Sequence, residues 1–388
     1  MVALAGCNGL LNSQPHVVGT VKLAADLPLS GDDAPDGVPV KDALELAIKQ
    51  RSSVCGASSH QDACLRVELA PYDDVSKGIH DPAQGAGNVR LMTTDPQVIA
   101  MVGPLYDSLA RSEIPIANRA HLAVVSPANT NECLTQVPAD GHCLGLAAQL
   151  RPDRTNSYFR VVTTALMEAP AAAEFAVRTL HARHAFVVDD ATPVGKALNA
   201  AFATRFRSRG GTIAASIGSA DVVFFPGADI NAAAALRRQL AGATPAIPLL
   251  AGDALANDQY AKAAGSAARG SYYAAAGAWP PAIKAAAGFI TDYGRAYGQP
   301  PTGISLQAFD AANLVLDAVR RAIDDAGGSQ PSRQQVLAEV AQTTSYQGLM
   351  GPIGFDPQGD TTLRWVGIYQ WTAPSETSGA FVAEIDVS

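Results

Sequence analysis

The chain has 388 residues, is 48% hydrophobic and 16% charged, and carries a formal net charge of −8. This length exceeds what one hydrophobic core usually serves, so two domains are expected, and the composition is that of a folded globular protein rather than a disordered one. The acidic balance argues against a nucleic-acid partner, and no apolar run reaches the roughly 18 residues needed to span a bilayer.

In chain order, residues 4–7 read LAGC and resemble the bacterial lipobox, in which the cysteine, here Cys7, is diacylated and becomes the mature N-terminus. The NGLLNSQPH that follows suits a flexible tether. Only six residues precede Cys7, too few for the charged and apolar regions of a signal peptide, so a truncated start is expected. From Val17 onward short β-rich runs alternate with helical ones. VVGTVKLAADL (17–27) reads as a strand, PVKDALELAIKQR (39–51) as a helix with apolar residues at 3–4 spacing, and LRVELAPY (65–72) as a strand. AQGAGNVRLMTT (83–94) is a helix, VIAMVG (98–103) a strand, SLARSEIPIANRA (108–120) a helix and LAVVS (122–126) a strand. The rhythm restarts at YFRVV (158–162), with helix 168–183, strand 184–190, helix 194–210, strand 221–227, helix 229–242 and strand 247–253. Two long amphipathic helices follow (281–298 and 305–327), and the tail is strand-like. Two successive βαβα runs predict an α/β protein of two doubly wound lobes, each a parallel sheet covered on both faces, with a ligand cleft between them. The stretch TIAASIGSADVVFFPG (212–227) is too short for a full helix between its strands, so one sheet element there is expected to be missing or remodelled.

The remaining four cysteines bracket two short polar loops, Cys55 with Cys64 and Cys133 with Cys143. Local disulfides in an oxidising compartment fit this pattern, each contributing about 2–3 kcal/mol. Zinc is the rival, because His60 and His142 lie inside the loops, but the close CxxC pairs of zinc sites are absent. Catalytic motifs are missing as well: there is no GxSxG, GxxxxGK[ST], HExxH or GxGxxG. The acid pairs Asp73-Asp74 and Asp189-Asp190 read as strand ends or helix caps. His181 and His184 read as a solvated helix face rather than a metal pair, and Trp365 and Trp371 as core or edge residues. No enzyme activity, metal or cofactor is expected.

In a parallel sheet, ligands bind beyond the carboxyl ends of the strands. The loops there, LPLSGDD, GPLYDS, SPANT, VDDATP, FPGAD and AGD, are small and hydrogen-bonding, which suits a polar ligand.

Taken in order, ADLPLSG, APYDD, VGPLYDS, IPIANRAHLAVVSPANT, YFRVV, FVVDDATPVGKALNAAF, DVVFFPG, LRRQLAGA, AFDAANLVLDAV and GPIGFDPQGD, spanning about residues 18–371, resemble the type I periplasmic binding proteins. The resemblance is to the branched-chain amino-acid branch of solute-binding lipoproteins. It implies a tether (1–15), an N-terminal lobe (16–162 plus 278–347) and a C-terminal lobe (163–277 plus 348–388), joined by three crossovers and closing on a small polar ligand. It also implies delivery to an ABC transporter permease, an extracytoplasmic site with membrane attachment through lipid on Cys7 alone, and a monomer. Carried over position by position, the ligand set is Asp36 at a place where relatives often have an aromatic, Asp107 with Ser108 for a carboxylate-gripping serine, Ser126, Ala128 and Thr130 of SPANT, Val194 for an aromatic, Asp253 for the acid that receives an amino group, and Ile304 for a later aromatic. Ala165 stands where the family has an acid. Asp107 is thus expected either to cap the helix beginning at Ser108 or to contact ligand, and with Asp36 and Asp253 it could converge on a cation or on hydroxyls. The alternatives to transport are a sensor of the same fold that signals to a membrane partner and a degenerate relative that binds nothing.

Overall fold

The computed structural model describes residues 16–138, 141, 143–189, 191–277, 279–376 and 378–387. Cys7, His142 and Asp190 lie outside these residues. The chain opens with β1 (His16–Leu27), α1 (Ala34–Gln50), β2 (Ser53–Cys55) and β3 (Ala63–Asp73). A two-strand flap, β4 (Val75–Ser76) and β5 (Ile79–His80), leads to α2 (Pro82–Thr94) and β6 (Val98–Val102). Then come α3 (Asp107–Arg119), β7 (Ala123–Ser126), α4 (Leu146–Gln149) and β8 (Tyr158–Arg160). These make a six-stranded sheet in the order β2-β3-β1-β6-β7-β8, parallel apart from β2.

The second lobe contains α5 (Glu168–Arg178), β9 (His184–Val187), α6 (Pro193–Ser208), β10 (Thr212–Ile213), β11 (Val222–Phe225), α7 (Ile230–Ala241), β12 (Leu249–Ala251), α8 (Asp258–Ala264) and β13 (Ser271–Ala276). The chain then returns to the first lobe with α9 (Ala287–Tyr297), α10 (Gly303–Asp325), α11 (Arg333–Ala341) and the hairpin β14 (Tyr346–Gly348) and β15 (Gly351–Ile353). It finishes in the second sheet with β16 (Trp365–Gln370) and β17 (Ala380–Asp386), giving the order β10-β9-β11-β12-β13-β16-β17.

Alternation along buried parallel strands feeds the cores on both faces. Leu23, Ala25 and Leu27 enter one cluster while Ala24 enters another; Val222 and Phe224 face α5 and α6 while Val223 and Phe225 face α7 and α8. The first lobe's larger core also takes α10 along its length. Met350, Ile353, Phe355 and Leu363 are buried in that same core. The stretch 348–363, expected in the C-terminal lobe, therefore packs with the first lobe, and the chain crosses for the last time just before β16.

Several local expectations change. Helix α1 starts at Ala34, with Pro39 inside it; the Pro39 carbonyl accepts from Tyr293 and Ser305, both at 3.1 Å, so tertiary bonds support that turn. Helix α9 begins only at Ala287, after two 3₁₀ turns that start at Pro280. Helix α5 stops at Arg178, so His181 and His184 do not share a helix: His181 sits in a left-handed turn, and His184 opens β9 with its ring nitrogen 2.7 Å from the Thr212 hydroxyl. In 212–227 the strand survives as two-residue β10 at the sheet edge, and a single 3₁₀ turn (Ile217–Ser219) replaces the helix.

Disulfides join Cys55 to Cys64 and Cys133 to Cys143. Cys55 and Cys64 are directly opposed across β2 and β3, and with their sulfurs bonded to each other the cysteines offer no thiolate to zinc. His60 instead lies 3.5 Å from Asp324. Trp371 is fully buried and donates to the Leu255 carbonyl at 3.0 Å, whereas Trp365 is partly exposed at the start of β16. Among the described residues no helix is long and apolar enough to cross a membrane.

Candidate functional site

In the first sheet the chain leaves β1 toward β3 on one side and later returns to β6 on the other, so the carboxyl end of β1 is a topological switch point. Such a point leaves a crevice between diverging loops. Those loops carry Asp33, Asp36, Tyr106 and Asp107. The Tyr106 hydroxyl donates to Asp36 at 2.6 Å, and its ring stacks on His80 with centroids 3.8 Å apart. The His80 ring nitrogen is 2.7 Å from Asp33, and the His80 backbone N–H, first among its partners, holds the Asp33 carboxyl below its usual range. The flap carrying His80 thus joins the cleft wall.

Asp107 is the first residue of α3 and is half-buried; the N-cap is Tyr106, and no side chain makes a cap bond there. The capping expected of Asp107 is therefore not observed. The Asn131 and Asn129 side chains lie near its carboxyl, while the Asn129 amide donates to the Leu105 carbonyl at 3.0 Å. Burial pushes its pKa up, against the opposing pull of Arg160, those amides and Arg111. Ser108 is exposed on the next position.

Ser126 is fully buried, donating to the Pro104 carbonyl at 2.9 Å and accepting the N–H groups of Ala128 and Asn129 at 3.2 and 3.0 Å. Its hydroxyl orders the SPANT loop. Ala128 packs on the first core, and the Thr130 carbonyl accepts the Ala165 N–H at 2.9 Å, tying the loop to the first crossover.

Arg160, a charge inside the apolar strand YFRVV, is 0% exposed. It pairs with Asp360 at 2.6 Å, donates to the carbonyls of Asn129 and Asn131 at 3.1 and 2.8 Å, and bonds the Thr135 hydroxyl. This guanidinium shapes the cleft floor and is spent on protein acceptors.

From the second lobe comes Asp253, in the turn after β12. Its backbone N–H donates to buried Glu168 at 3.0 Å, and the other Glu168 oxygen takes the Ala276 N–H at 3.1 Å. Asp253 is itself exposed to solvent; loss of hydration from the protein packed around it, and next the charge of Asp107, push its carboxyl up. Glu168 is raised well above the usual carboxyl range by burial and then by Asp253, with a further push from Glu132 of the first lobe. Val194 lies at the N-terminus of α6, 48% exposed, and Ile304 packs on the first core from the first turn of α10.

Behind the rim lies a second group of acids. Asp26, Asp74 and Glu113 are all 0% exposed, and five of their six carboxyl oxygens have no hydrogen-bond partner. Asn88 donates to the remaining Asp26 oxygen at 2.7 Å. Burial pushes Asp26 up to about 7 and Asp74 up to about 8, and burial, with the charge of Asp26 beside it, raises Glu113 well above the usual carboxyl range. Asp73, by contrast, accepts the N–H groups of Leu29 and Val75 and orders the strand end.

A separate cavity of about 320 Å³ opens beside the first crossover, lined in part by Gln136, Thr163, Thr164, Asp356, Asp360 and Arg364. Its polar groups already have partners: Asp360 takes Arg160 and Gln136, and Arg364 donates to the Thr361 carbonyl at 2.6 Å. It opens just beyond the carboxyl end of β8, whose chain runs on into Thr163 and Thr164.

Sequence reasoning missed Tyr106, Asn129, Asn131, Arg160, Glu168 and the Asp26–Asp74–Glu113 group. Two carried a signal: Arg160 is the one charge in YFRVV, and Glu168 opens an alanine-rich helix whose neighbours are apolar. The others look like ordinary loop or helix polar residues until the fold assembles them.

A family model described as periplasmic binding protein matches residues 20–378. Among solved structures, a leucine-binding protein from Thermotoga maritima is 23% identical, with a TM-score of 0.65 over 95% of this chain and 99% of its own. A branched-chain amino-acid substrate-binding protein from Streptococcus pneumoniae, solved with isoleucine, is 19% identical (TM-score 0.61; 94% of this chain and 99% of its own). A solute-binding protein from Rhodopseudomonas palustris, solved with 3,4-dihydroxybenzoic acid, is 18% identical (TM-score 0.62; 95% and 97%). No curated protein matches the chain.

Proposed function

The chain belongs to the periplasmic binding protein family, and from that premise we propose that it captures a small polar solute between its lobes and hands it to an ABC importer in the membrane. What supports this reading is a chain of two α/β sheets whose polar loops, among them Tyr106–Asp107 after β6 and Asp253 after β12, lie at the carboxyl ends of strands in both lobes. A site divided in this way is complete only when the lobes are close, so occupancy and closure are one event. The similar structures hold leucine-type amino acids and an aromatic acid, small solutes with polar ends.

Two disulfides fit an extracytoplasmic setting, and lipid on Cys7 would keep the protein at the membrane beside its permease. The protein acts as a monomer that binds and releases its solute unchanged. Thermal unfolding across amino acids, amides, polyamines, aromatic acids and sugars tests the proposal. A true ligand at a hundred times its Kd stabilises by about 2.7 kcal/mol and shrinks the radius measured by small-angle scattering; no response to any of these classes overturns solute capture.

A further inference from the structure

The three segments that carry the chain between the lobes converge on one small space. Val162 and Thr163 line it from the segment after β8, Gly277 from the segment after β13, and Leu363 and Trp365 from the segment entering β16. Gln307 of α10 lines it from the first lobe. Gln307 is 3% exposed, and its buried side-chain Nε2 has no hydrogen-bond partner among the described residues. The amide reaches the second crossover because residue 277 is glycine. A Cβ there would lie 2.7 Å from Gln307 Nε2, and the backbone holds φ at +112°, where any side chain is strained.

A buried amide N–H without an acceptor is costly, and an ordered water is the usual partner for a polar group that the protein itself does not satisfy. The centre of a water molecule has about 10 Å³ to move in at this point, which is room for one water and for no larger guest. Thr163 and the Gly277 backbone add polar atoms to the same lining, so a water beside Gln307 has further partners to hold it.

We propose that Gln307 binds one water where the three crossovers meet, and that this water is a bearing on which the lobes turn. Apolar side chains packed to crystal-like density favour a single arrangement. A water trades its bonds among Gln307, Thr163 and the Gly277 backbone as the segments shift, so the hinge moves without stranding the amide. The water site stands on the fold alone; its part in the hinge rests on the solute-capture reading.

Magnetic relaxation dispersion of the solvent counts long-lived internal waters in the intact protein. Gln307→Met keeps the length of the side chain and removes the donor; Thr163→Val keeps the shape and removes the hydroxyl. Each variant, checked as folded by cooperative thermal unfolding, should hold one long-lived water fewer than the wild type. Single-molecule energy transfer between dyes on the two lobes of the ligand-free protein should show lobe exchange slowed roughly tenfold in Gln307→Met, the effect of one hydrogen bond of ordinary strength. An unchanged water count in a folded variant overturns the water site. A lost water with unchanged exchange overturns the bearing and leaves solute capture standing. Lobes that hold a single arrangement in the wild type also overturn the bearing alone, since solute capture answers to the ligand screen.

Discussion

Arg160 of β8 and Asp360 form an ion pair at 2.6 Å in which the guanidinium is fully buried, and the same guanidinium holds the backbone of the 129–131 loop. A single interaction therefore joins the strand entering the first crossover, the segment preceding the last crossover and a cleft loop.

Removing one member of such a pair strands the other. Arg160→Met should destabilise by about 3–5 kcal/mol, whereas Arg160→Met with Asp360→Leu should recover part of that loss. Urea unfolding of the two single variants and the double variant measures the coupling; additive losses would show that the pair contributes no specific interaction.

Stability should fall as pH rises. Unfolded carboxyls release their protons near pH ~4, whereas Asp26 holds its proton up to about 7 and Asp74 up to about 8. Across that window the folded state binds more protons than the unfolded state, so each group contributes a decline of at most about 1.4 kcal/mol per pH unit. The full contribution is present below pH ~4 and gone above about 8. Calorimetric Tm values between pH 4 and 9 should show this slope and Asp74→Asn should flatten it; a wild-type profile that rises toward pH 8 would sink the idea.

Two glycines two residues apart on α2, and so on different faces of it, should respond in opposite ways to alanine. A Cβ on Gly85 would lie 2.4 Å from a Glu113 oxygen and 3.2 Å from one of Asp26, so Gly85→Ala should cost about 1–3 kcal/mol through overpacking. Gly87 has open space, and Gly87→Ala should gain up to about 1 kcal/mol from helix propensity. Denaturant midpoints compare them, and equal shifts would mean that the acids are not packed against Gly85.

Asp310 in α10 is buried and accepts the N–H groups of Leu349 and Met350 at 2.8 and 2.9 Å, pinning the β14–β15 turn to the first core. Asp310→Ala leaves both donors without an acceptor and should cost about 2–6 kcal/mol, at about 1–3 kcal/mol for each group. Hydrogen exchange at these two amides should accelerate well beyond any change at β1; unchanged protection would assign the turn's stability to apolar packing alone.

Much of the architecture was legible in the sequence because it is written locally. The period-2 and period-3.6 patterns of 17–126 and of 158–253 lie within each segment, and so do the paired cysteines that close their own loops. The limits of α1 were not legible, because the bonds from Tyr293 and Ser305 to Pro39 cross more than 250 positions. The end of α5 was not legible for a different reason: apolar Leu180 and Ala182 continue the helical spacing although the helix stops at Arg178 and the backbone turns left-handed at His181.

The site divides along the same line. Motif order alone located Asp107, Asp253 and the SPANT loop at the carboxyl ends of strands, since those positions follow directly from where each strand stops. Only the tertiary structure decided what surrounds them. It removed Ser126 to the interior, spent Arg160 on Asp360 and gathered the buried acids Asp26, Asp74 and Glu113 behind the rim. Charge acts through space, and Arg160 and Asp360, 200 positions apart in the chain, meet only once the fold has brought their segments together.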